Sequence, residues 1–442
     1  MQIALDIIQR TCSFLWSFPM LILLLGTHIY FTVRLRLIQK KVPLGIKFSF
    51  SRTENTATGI TPYEALATAL AATIGTGNII GVSTAVAIGG PGAVFWCWIT
   101  GILGIATCYA EAFLSVRYRV KNTDGLYTGG PMYILRDGLH MKRTAALFAL
   151  FTACAALGIG SSVQANSICT AIREQVSLSP HIIGMTTAVI AGFVMLGGIK
   201  QIARVCTILV PFMSLFYLAG CAYLLLSNYR FVPQAILVII RSAFSSRSFV
   251  GGMAGTAVMT GIRTGISKGL FTNEVGLGSI PIAAAASNST SPARQGLISM
   301  TGPFWDTVVI CAVTGIVIVS SMLRFPADYA GAKADHLCFI AFEQLPFHGG
   351  LILSVSLVLF AFATIIGWCY YGEAGVRYLT GNRTIRLYQT IYIVFIYLGA
   401  VTSLQFVFQI SDLFNALMAL PNLLCLWLLK EQVAMPETTC SQ

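Results

Sequence analysis

The residues best suited to bind a small polar molecule lie in the stretch 71–81, where an otherwise apolar segment contains Gly75, Thr76, Gly77 and Asn78. Two glycines so close together weaken an α-helix, because each costs roughly 1 kcal/mol relative to alanine. A helix that breaks here leaves backbone N–H and C=O groups free, and such groups bind carboxylates and cations. Close packing of two helices through small residues would explain the same glycines, and the spacing alone leaves both explanations open.

The ends of this segment carry the usual signals of a helix. Thr61 can cap it, Pro62 suits the first helical position, and Glu64 can complete a capping box. The run Gly-Gly-Pro-Gly at 89–92 stops it. We therefore predict a helix over about 63–88 that is interrupted near its middle.

The composition is that of a membrane protein. Of the 442 residues, 56% are hydrophobic and 10% are charged, against roughly 25% charged in a soluble domain. We expect an all-α polytopic protein of the cell (inner) membrane, surrounded by the lipid bilayer. In a soluble protein the net charge of +12 would suggest a nucleic-acid partner. Here we expect none, because the lysines and arginines are concentrated in the loops on one side of the membrane.

Eleven apolar stretches are long enough to span a bilayer, which takes roughly 20 residues. We place them at about 13–33, 63–88, 93–117, 144–171, 181–198, 204–227, 248–286, 297–322, 349–375, 385–407 and 411–429. The first is too long for a signal-peptide core, so we expect it to be retained. The seventh is too long for one straight helix.

The basic residues favour an N-terminus outside and a C-terminus in the cytoplasm. With that orientation 7 of the 28 lysines and arginines lie outside, which leaves 28 minus 7, or 21, inside. The outside set is Arg10, Arg173, Arg230, Arg241, Arg247, Arg324 and Lys333. An excess of lysine and arginine on the cytoplasmic side is the normal pattern.

The ten spans after the first divide into two groups of five, which cross the membrane in opposite directions because five is odd. Each group begins with a glycine-rich span, and the second contains the run 251–255 with Gly261, Gly265 and Gly269. Interrupted helices at corresponding positions of two halves point to a transporter's binding site near the bilayer midplane. The alternative is that the two glycine-rich spans match by chance in a chain with 41 glycines.

The predicted units are a first helix and basic loop (1–60), a first repeat (61–227), an inverted second repeat (228–430) and a cytoplasmic tail (431–442).

Three acidic residues, Glu111, Glu274 and Asp306, lie at membrane depth, where a charge costs at least a few kcal/mol and is often functional. Glu111 precedes two arginines, so an ion pair at the inner rim is its ordinary explanation. Glu274 lies in a polar, glycine-rich stretch and serves either as an inner gate or as structural support. An ion pair with Arg263 or Lys268 would explain why Asp306 lies at this depth.

Two further polar clusters lie where a midplane site needs walls. Gln164 and Asn166 are deep in span four, where each bonds either a ligand or only a neighbouring helix. In span nine Thr364 and Trp368 are four residues apart and share a helical face. The tryptophan is either a wall of the site or a packing residue.

The sequence contains no set of residues typical of an enzyme. It has no HExxH, GxSxG or phosphate-binding loop, and no nucleophile, base and orienting group that a span would bring together. The twelve cysteines form no CxxC pair and no ligand spacing with the five histidines. We expect no catalytic residue, no cofactor and no transition-metal site.

Five segments together carry a family resemblance, namely 71–79, 89–96, 129–133, 269–279 and 367–373. On these the chain resembles the alanine or glycine:cation symporter family over nearly its full length. The resemblance implies a leucine-transporter-like inverted repeat of five plus five helices preceded by one extra helix. It also implies import of alanine or glycine driven by sodium as the coupling ion.

The resemblance and the properties of a broken helix suggest roles for individual residues. The substrate would meet Gly75, Thr76, Gly77, Asn78, Gln164, Phe362 and Trp368, the last two limiting its size. Sodium would be bound by the carbonyls of Ile74 and Gly77 and the hydroxyl of Thr364, by analogy with the fold. The polar residues assigned to gating or structure are Glu111, Asn273, Glu274 and Asp306.

The chain departs from the family pattern at Cys108 and Lys268, where a basic residue and an arginine are usual, and at 272–276, which reads Thr-Asn-Glu-Val-Gly. These departures lie towards the inner face and bear on gating. An uncoupled channel or facilitator, and a proton-coupled amino-acid symporter, are the competing functions; a membrane enzyme is a more distant one.

The distribution of basic residues predicts the topology. A reporter fused after Gln442 should be cytoplasmic, and one inserted near Asp335 should be external, because 21 of the 28 basic residues then face the cytoplasm. Labelling of the two reporters in intact and permeabilised cells checks this. The opposite labelling would rule out the eleven-span topology.

Overall fold

The computed structural model describes residues 10–12, 15–16, 18–51, 59–122, 125–244, 258–346, 348–402 and 405–436. These residues are mostly helical. The helices of seven residues or more are α1 Phe18–Arg34, α2 Val42–Ser49, α3 Pro62–Thr73, α4 Ile80–Gly89, α5 Gly92–Arg117, α6 Lys142–Ala155, α7 Val163–Arg173, α8 Pro180–Met195, α9 Gly198–Ser227, α10 Val232–Phe244, α11 Val258–Asn273, α12 Ile280–Ala286, α13 Pro292–Ser299, α14 Ala312–Arg324, α15 Leu337–Glu343, α16 Gly349–Thr380, α17 Ile385–Val401 and α18 Gln405–Leu428.

Shorter elements connect these helices. Two strands, β1 Val120–Lys121 and β2 Tyr127–Thr128, pair antiparallel after α5. Two wider π-helical segments, Ala156–Ser162 and Phe304–Cys311, join α6 to α7 and lead into α14. Within long helices such π segments often mark functional positions.

The first predicted break is present. Thr61 accepts a hydrogen bond from the Glu64 N–H at 3.2 Å, and Glu64 Oε2 accepts one from the Thr61 N–H at 2.6 Å, so α3 begins with the predicted capping box. The helix ends at Thr73, and the chain resumes as a 3₁₀ turn followed by α4, with a bend of 60°. The glycines therefore interrupt the helix, and packing alone does not explain them.

The second break lies later in the chain than the glycine run suggested. Helix α11 is continuous to Asn273, and the backbone unwinds over 274–279 before α12. Gly276 and Gly278 have φ values of 89° and 91° there, which L-residues with side chains rarely adopt. The run 251–255, where the interruption was predicted, lies outside the described residues.

The glycines inside α11 serve close packing instead. A Cβ at Gly265 would lie 2.2 Å from the Ala93 carbonyl oxygen, and one at Gly269 would lie 2.1 Å from Thr100 Oγ1. Both neighbours belong to α5, so small residues let α11 and α5 approach closely. The prediction that Gly261, Gly265 and Gly269 interrupt the span was wrong, because a glycine can serve packing as readily as a break.

Each predicted span overlaps at least one described helix, and two of them, 63–88 and 248–286, contain the breaks described above. By length and apolar composition, six of the described helical stretches are able to cross a membrane, or eight if each of two bent pairs counts as one span. The count of eleven and the five-plus-five arrangement stay predictions. Three helices, α2, α10 and α15, lie wholly in segments that were expected to be loops. Helix α10 packs on α5, where Trp96 Nε1 donates to the Ala243 carbonyl at 3.2 Å.

Helix α16 lies at the centre of the packed core. Its side chains Phe360, Trp368 and Tyr371 are completely buried. Gly367 faces the end of α3, where a Cβ on this glycine would lie 2.8 Å from the Ala72 backbone nitrogen. The long helix is thus held directly against the helix that leads into the first break.

Because α16 lies so close to α3, a single methyl group added at Gly367 should lower the stability of the protein. Gly367→Ala should destabilise the protein by about 1–3 kcal/mol, because the methyl meets backbone atoms that cannot rotate away. Gly26→Ala is the matched control, since no atom lies within 4 Å of its Cβ position. Thermal unfolding in detergent measures both; equal stability of the two variants would contradict the predicted contact.

Candidate functional site

A cavity of about 270 Å³ lies between the two breaks, and we call it the central cavity. It is lined by residues of both predicted halves. The predicted site residues that line it are Gly75, Thr76, Gly77, Gln164, Glu274 and Thr364. The sequence therefore located six of the residues that converge at this cavity, although they come from positions almost 300 apart.

The first break presents free backbone groups at this cavity. Gly75 is extended, with φ −133° and ψ −162°, and Thr76–Asn78 forms one 3₁₀ turn. Within the described part of the chain the N–H groups of Thr76 and Gly77 donate no hydrogen bond, and the carbonyls of Ile74 and Gly77 accept none. Such groups in a membrane require a ligand or water.

The side chain of Asn78 does not line the central cavity but supports the break from behind. It is fully buried, its Oδ1 accepts a hydrogen bond from the Gly75 N–H at 2.9 Å, and its Nδ2 donates to Asp306 Oδ1 at 2.7 Å. The second oxygen of Asp306 accepts from Thr307 Oγ1 at 2.7 Å. Asp306 thus bonds to uncharged partners, and the expected pairing with Arg263 or Lys268 is not observed among the described residues.

Gln164 and Thr76 meet across the cavity wall. The Thr76 hydroxyl donates to Gln164 Oε1 at 3.2 Å, and Gln164 Nε2 donates to the Ile159 carbonyl at 3.2 Å. That carbonyl belongs to the π-helical segment Ala156–Ser162, in which backbone bonds join residues five apart. Asn166, in contrast, donates to the Gly399 carbonyl at 3.2 Å and ties α7 to α17.

Thr364 of α16 lies opposite the break. Its hydroxyl donates to the Phe360 carbonyl at 3.1 Å, and a Cβ on Gly75 would approach the same hydroxyl oxygen to 2.7 Å. The Ile74 side chain is turned away from the cavity and lines a separate apolar groove near Tyr63 and Trp305. Only the backbone of Ile74 is therefore relevant to ion binding.

Neither Phe362 nor Trp368 is among the residues that line the central cavity. Trp368 is completely buried, and its Nε1 donates to Glu274 Oε1 at 2.9 Å. It therefore supports the second break. Closure of the side-chain end of the site must come from other residues.

Glu274 organises the second break. It has a φ of 54°, lines the cavity, and accepts a hydrogen bond from Ser279 Oγ at 2.7 Å. The preceding Asn273 accepts a bond from the Val275 N–H at 3.1 Å. Side-chain oxygens thus take the place of the lost helical acceptors in this segment.

Glu111 also serves the second break. Its Oε1 accepts hydrogen bonds from the Gly276 N–H at 3.0 Å and from Asn422 Nδ2 at 2.6 Å. The predicted ion pair at the inner rim was wrong: Arg117 donates to the Gln432 carbonyl, and Arg119 donates to carbonyls of the loop after α12. Because Glu111 points inward along α5, it bonds to the backbone of the break rather than to the arginines.

The sequence analysis missed several polar residues of the cavity. Lys268 and Thr272 of α11 and Asp412 and Asn415 of α18 also line it. The sequence did contain a pattern that points to the two residues of α18. Asp412 and Asn415 are three positions apart near the start of a predicted span, so they share one helical face. Asp412 is the second residue of the predicted span 411–429, where an acidic side chain is not unusual, so this position alone did not mark it as a site residue.

The sequence model of the sodium:alanine symporter family matches residues 1–438. The chain belongs to this family. It is 44% identical over 434 residues to the sodium/alanine symporter AgcS of Methanococcus maripaludis, covering 96% of this chain and 94% of the relative. It is 33% identical over 442 residues to the probable sodium/glutamine symporter GlnT of Bacillus subtilis, covering 98% and 90%.

Solved transporters share the fold. MhsT, crystallised with L-phenylalanine, superimposes with a TM-score of 0.61 at 14% identity, over 84% of this chain and 89% of that one. A Na⁺-coupled sialic acid symporter in its substrate-bound outward-open state gives 0.55 at 11% identity, over 94% and 83%. This member of the sodium:alanine symporter family is therefore a multi-pass membrane transporter for sodium-coupled amino-acid symport and not an enzyme.

The geometry at Gly75 predicts a strong effect of one added methyl group. Gly75→Ala should lower sodium-driven amino-acid uptake at least roughly tenfold, because the new Cβ would lie 2.7 Å from the Thr364 hydroxyl in the central cavity. Gly302→Ala is the control, since nothing lies within 4 Å of its Cβ position. Uptake is measured in vesicles with equal amounts of each variant; a fully active Gly75→Ala would mean that the break tolerates side chains.

Proposed function

We propose that this symporter imports a small neutral amino acid, alanine or glycine, together with sodium, by alternating access around its two broken helices. The observation that carries the proposal is the set of free backbone N–H and C=O groups in the first break, which faces the same cavity as Thr364. The proposed orientation has the N-terminus outside and the C-terminus in the cytoplasm. The proposed units are those of the sequence analysis, two inverted repeats at 61–227 and 228–430 after the first helix and loop.

The substrate carboxylate binds at the first break. The N–H groups of Thr76 and Gly77 are free, and α4 directs the positive end of its dipole towards them. A helix N-terminus with unpaired N–H groups is well suited to an anion. Side chains at Gly75 or Gly77 would fill this space, which accounts for glycine at both positions.

The substrate ammonium binds between the break and α7. Gln164 Oε1 accepts only the Thr76 hydroxyl among the described residues, so a lone pair remains for an ammonium hydrogen. Glu274 adds a carboxyl group to the lining of the same cavity. Asn78 contributes indirectly, because its own oxygen is taken by the Gly75 N–H.

Sodium binds between the first break and α16. The carbonyls of Ile74 and Gly77 are free, and the Thr364 hydroxyl donates its hydrogen to Phe360, which leaves its oxygen lone pairs available. Three uncharged oxygens of this kind suit a hard cation. The ion would then hold α3 against α16 at the point where the helix is broken.

Coupling follows from the shared residues. Gly77 offers its N–H group to the carboxylate and its carbonyl to sodium, so each ligand orders the segment that the other needs. By linkage, the factor by which sodium tightens substrate binding equals the factor by which substrate tightens sodium binding. An uncoupled channel would lack this reciprocity.

The role of Thr364 is tested by varying its hydroxyl. Thr364→Val should raise the sodium concentration for half-maximal alanine transport several-fold, because an oxygen ligand is lost. Thr364→Ser keeps the oxygen and should stay close to wild type. Uptake in proteoliposomes is measured against sodium, with and without a proton gradient; an unchanged sodium curve in Thr364→Val would falsify the assignment.

A further inference from the structure

The apolar groove lies between α2, α3, α9 and the π-helical segment Phe304–Cys311, and the proposed function gives it no role. It has a volume of about 310 Å³. Within the described part of the chain it shares no lining residue with the central cavity. The residues that line it include Tyr63 and Leu70 of α3, Ile74 directly after that helix, Pro211 and Leu215 of α9, and Trp305 of the π-helical segment.

The groove opens towards the lipid along α9. Leu215 lines the groove and is nevertheless 68% exposed, and Ile208 on the same helix is 71% exposed. Only 33% of the most apolar stretch of α9 is buried. Because this helix is long and apolar enough to cross a membrane, its exposed apolar side chains face the hydrocarbon of the bilayer. The neighbour that can enter the groove is therefore a lipid tail.

The length of the groove matches the depth of one leaflet. It extends from Tyr63 to Ile74, which are 11 positions apart and therefore about 16 Å apart along the helix axis. Tyr63 is the second residue of α3, and Ile74 directly precedes the first break. One leaflet contributes about half of the roughly 30 Å hydrocarbon core of a bilayer. A single acyl chain occupies the same depth.

Two basic residues continue the groove-lining face of α9 towards its N-terminal end. Lys200, Arg204 and Ile208 follow one another at intervals of four residues, so they share one face of the helix. Pro211 and Leu215 of the groove continue that face. Both basic side chains are exposed, and neither α2 nor α9 contains an acidic residue. A lipid whose tail lies in the groove thus meets positive charge at its headgroup.

Helix α2 lies across one end of the groove. The segment Ile38–Ser49, which ends with α2, is bent by 69° from α1, so it turns towards the plane of the membrane. Ile46 and Phe50 line the groove. A Cβ on Gly45 would lie 2.2 Å from the Leu297 carbonyl oxygen, which shows that α2 is packed directly on α13. This end of the groove is therefore a fixed apolar surface at the membrane boundary.

We propose that the apolar groove binds an acyl chain of an anionic phospholipid from the cytoplasmic leaflet, and that this lipid supports sodium binding at the first break. The phosphate lies at Lys200 and Arg204, which face the cytoplasm in the proposed orientation. Anionic headgroups are the membrane component that attracts lysine and arginine at this surface. The effect on sodium rests on the proposed function, whereas lipid binding does not.

The groove touches both segments that shape the first break. The Ile74 side chain lines it, while the Ile74 carbonyl belongs to the proposed sodium site. Ile310 also lines it and lies in the same π-helical segment as Asp306, which accepts the hydrogen bond of Asn78. An acyl chain packed on Ile74 and Ile310 holds these segments together. By linkage, lipid and sodium then each tighten the binding of the other.

The first test measures lipid binding without transport. Trp305 lines the groove, so a phospholipid with brominated acyl chains should quench its fluorescence when bound. Delipidated protein in detergent is titrated with brominated phosphatidylglycerol or phosphatidylcholine, and Trp305→Phe identifies the quenched component. Phosphatidylglycerol should half-saturate this component at a concentration roughly tenfold or more below that of phosphatidylcholine. Equal quenching by the two lipids would mean annular contact only and would overturn the site.

Variants then assign the groove and its charges. Val309 is half-buried and lines the groove, so Val309→Phe should fill it and abolish the quenching of Trp305, whereas Val309→Ala leaves it open and should bind lipid. Lys200→Gln and Arg204→Gln should each raise the half-saturating concentration of phosphatidylglycerol roughly fivefold and leave that of phosphatidylcholine unchanged. Arg230→Gln, exposed beyond the other end of α9, is the charge control. Thermal unfolding of every variant separates misfolding from lost binding.

The second test measures sodium dependence in proteoliposomes. Replacing phosphatidylcholine by phosphatidylglycerol should lower the sodium concentration for half-maximal alanine uptake several-fold more in the wild-type protein than in Val309→Phe. The comparison is needed because a negative membrane surface concentrates cations by itself. Equal shifts in the two proteins would overturn the effect of the lipid on sodium binding.

Other outcomes separate the proposals. If a second copy of the chain covers the groove, brominated lipid does not reach Trp305 and Val309→Phe changes the oligomeric state, which would overturn the lipid site. Absence of sodium-driven alanine uptake by the wild-type protein in every membrane would reject the proposed function. The lipid site would still stand in that case, because quenching of Trp305 measures it directly.

Discussion

The hydrogen bonds of Asn78 hold the first break in its shape, and the binding cavity depends on them. A helix that ends at Thr73 frees the Gly75 N–H inside a membrane protein, where an unpaired group is costly. Asn78 accepts from that N–H and at the same time donates to Asp306, which precedes α14 in the second half of the chain. One buried side chain therefore sets the local backbone and ties the two halves together.

In the second break, too, buried side chains bond to the unwound segment, and here they are acidic. Glu111 accepts from the Gly276 N–H, while Glu274 accepts from Ser279 and from Trp368. These carboxyl groups are buried and are bonded to neutral donors in the described part of the chain. They act as acceptors that replace the lost helical carbonyls, so burial of acidic residues at membrane depth here serves the unwound backbone first.

The backbone groups of the two breaks are only partly hydrogen-bonded within the described part of the protein, and the proposed function depends on those that are left free. Side chains bond to Gly75 and Gly276, but the N–H groups of Thr76 and Gly77 and the carbonyls of Ile74 and Gly77 are left free. A transporter must bind its ligands and release them, and backbone groups at a movable joint can do both. In this protein the proposed site is thus a broken helix whose backbone is hydrogen-bonded by side chains on one side only.

The sequence by itself determined the membrane class, the helix beginning at Thr61 and the break at Gly75, because composition, capping residues and paired glycines act through local chemistry. It also located Gln164 and Thr364 at the cavity. Only the tertiary structure decided that Asn78 and Trp368 support the breaks, and that the glycines of α11 pack against α5. Asn78 is held in place by Asp306, Trp368 bonds to Glu274, and the glycines of α11 meet α5 across a helix interface. These partners are more than 90 positions away, so no local sequence pattern specifies them.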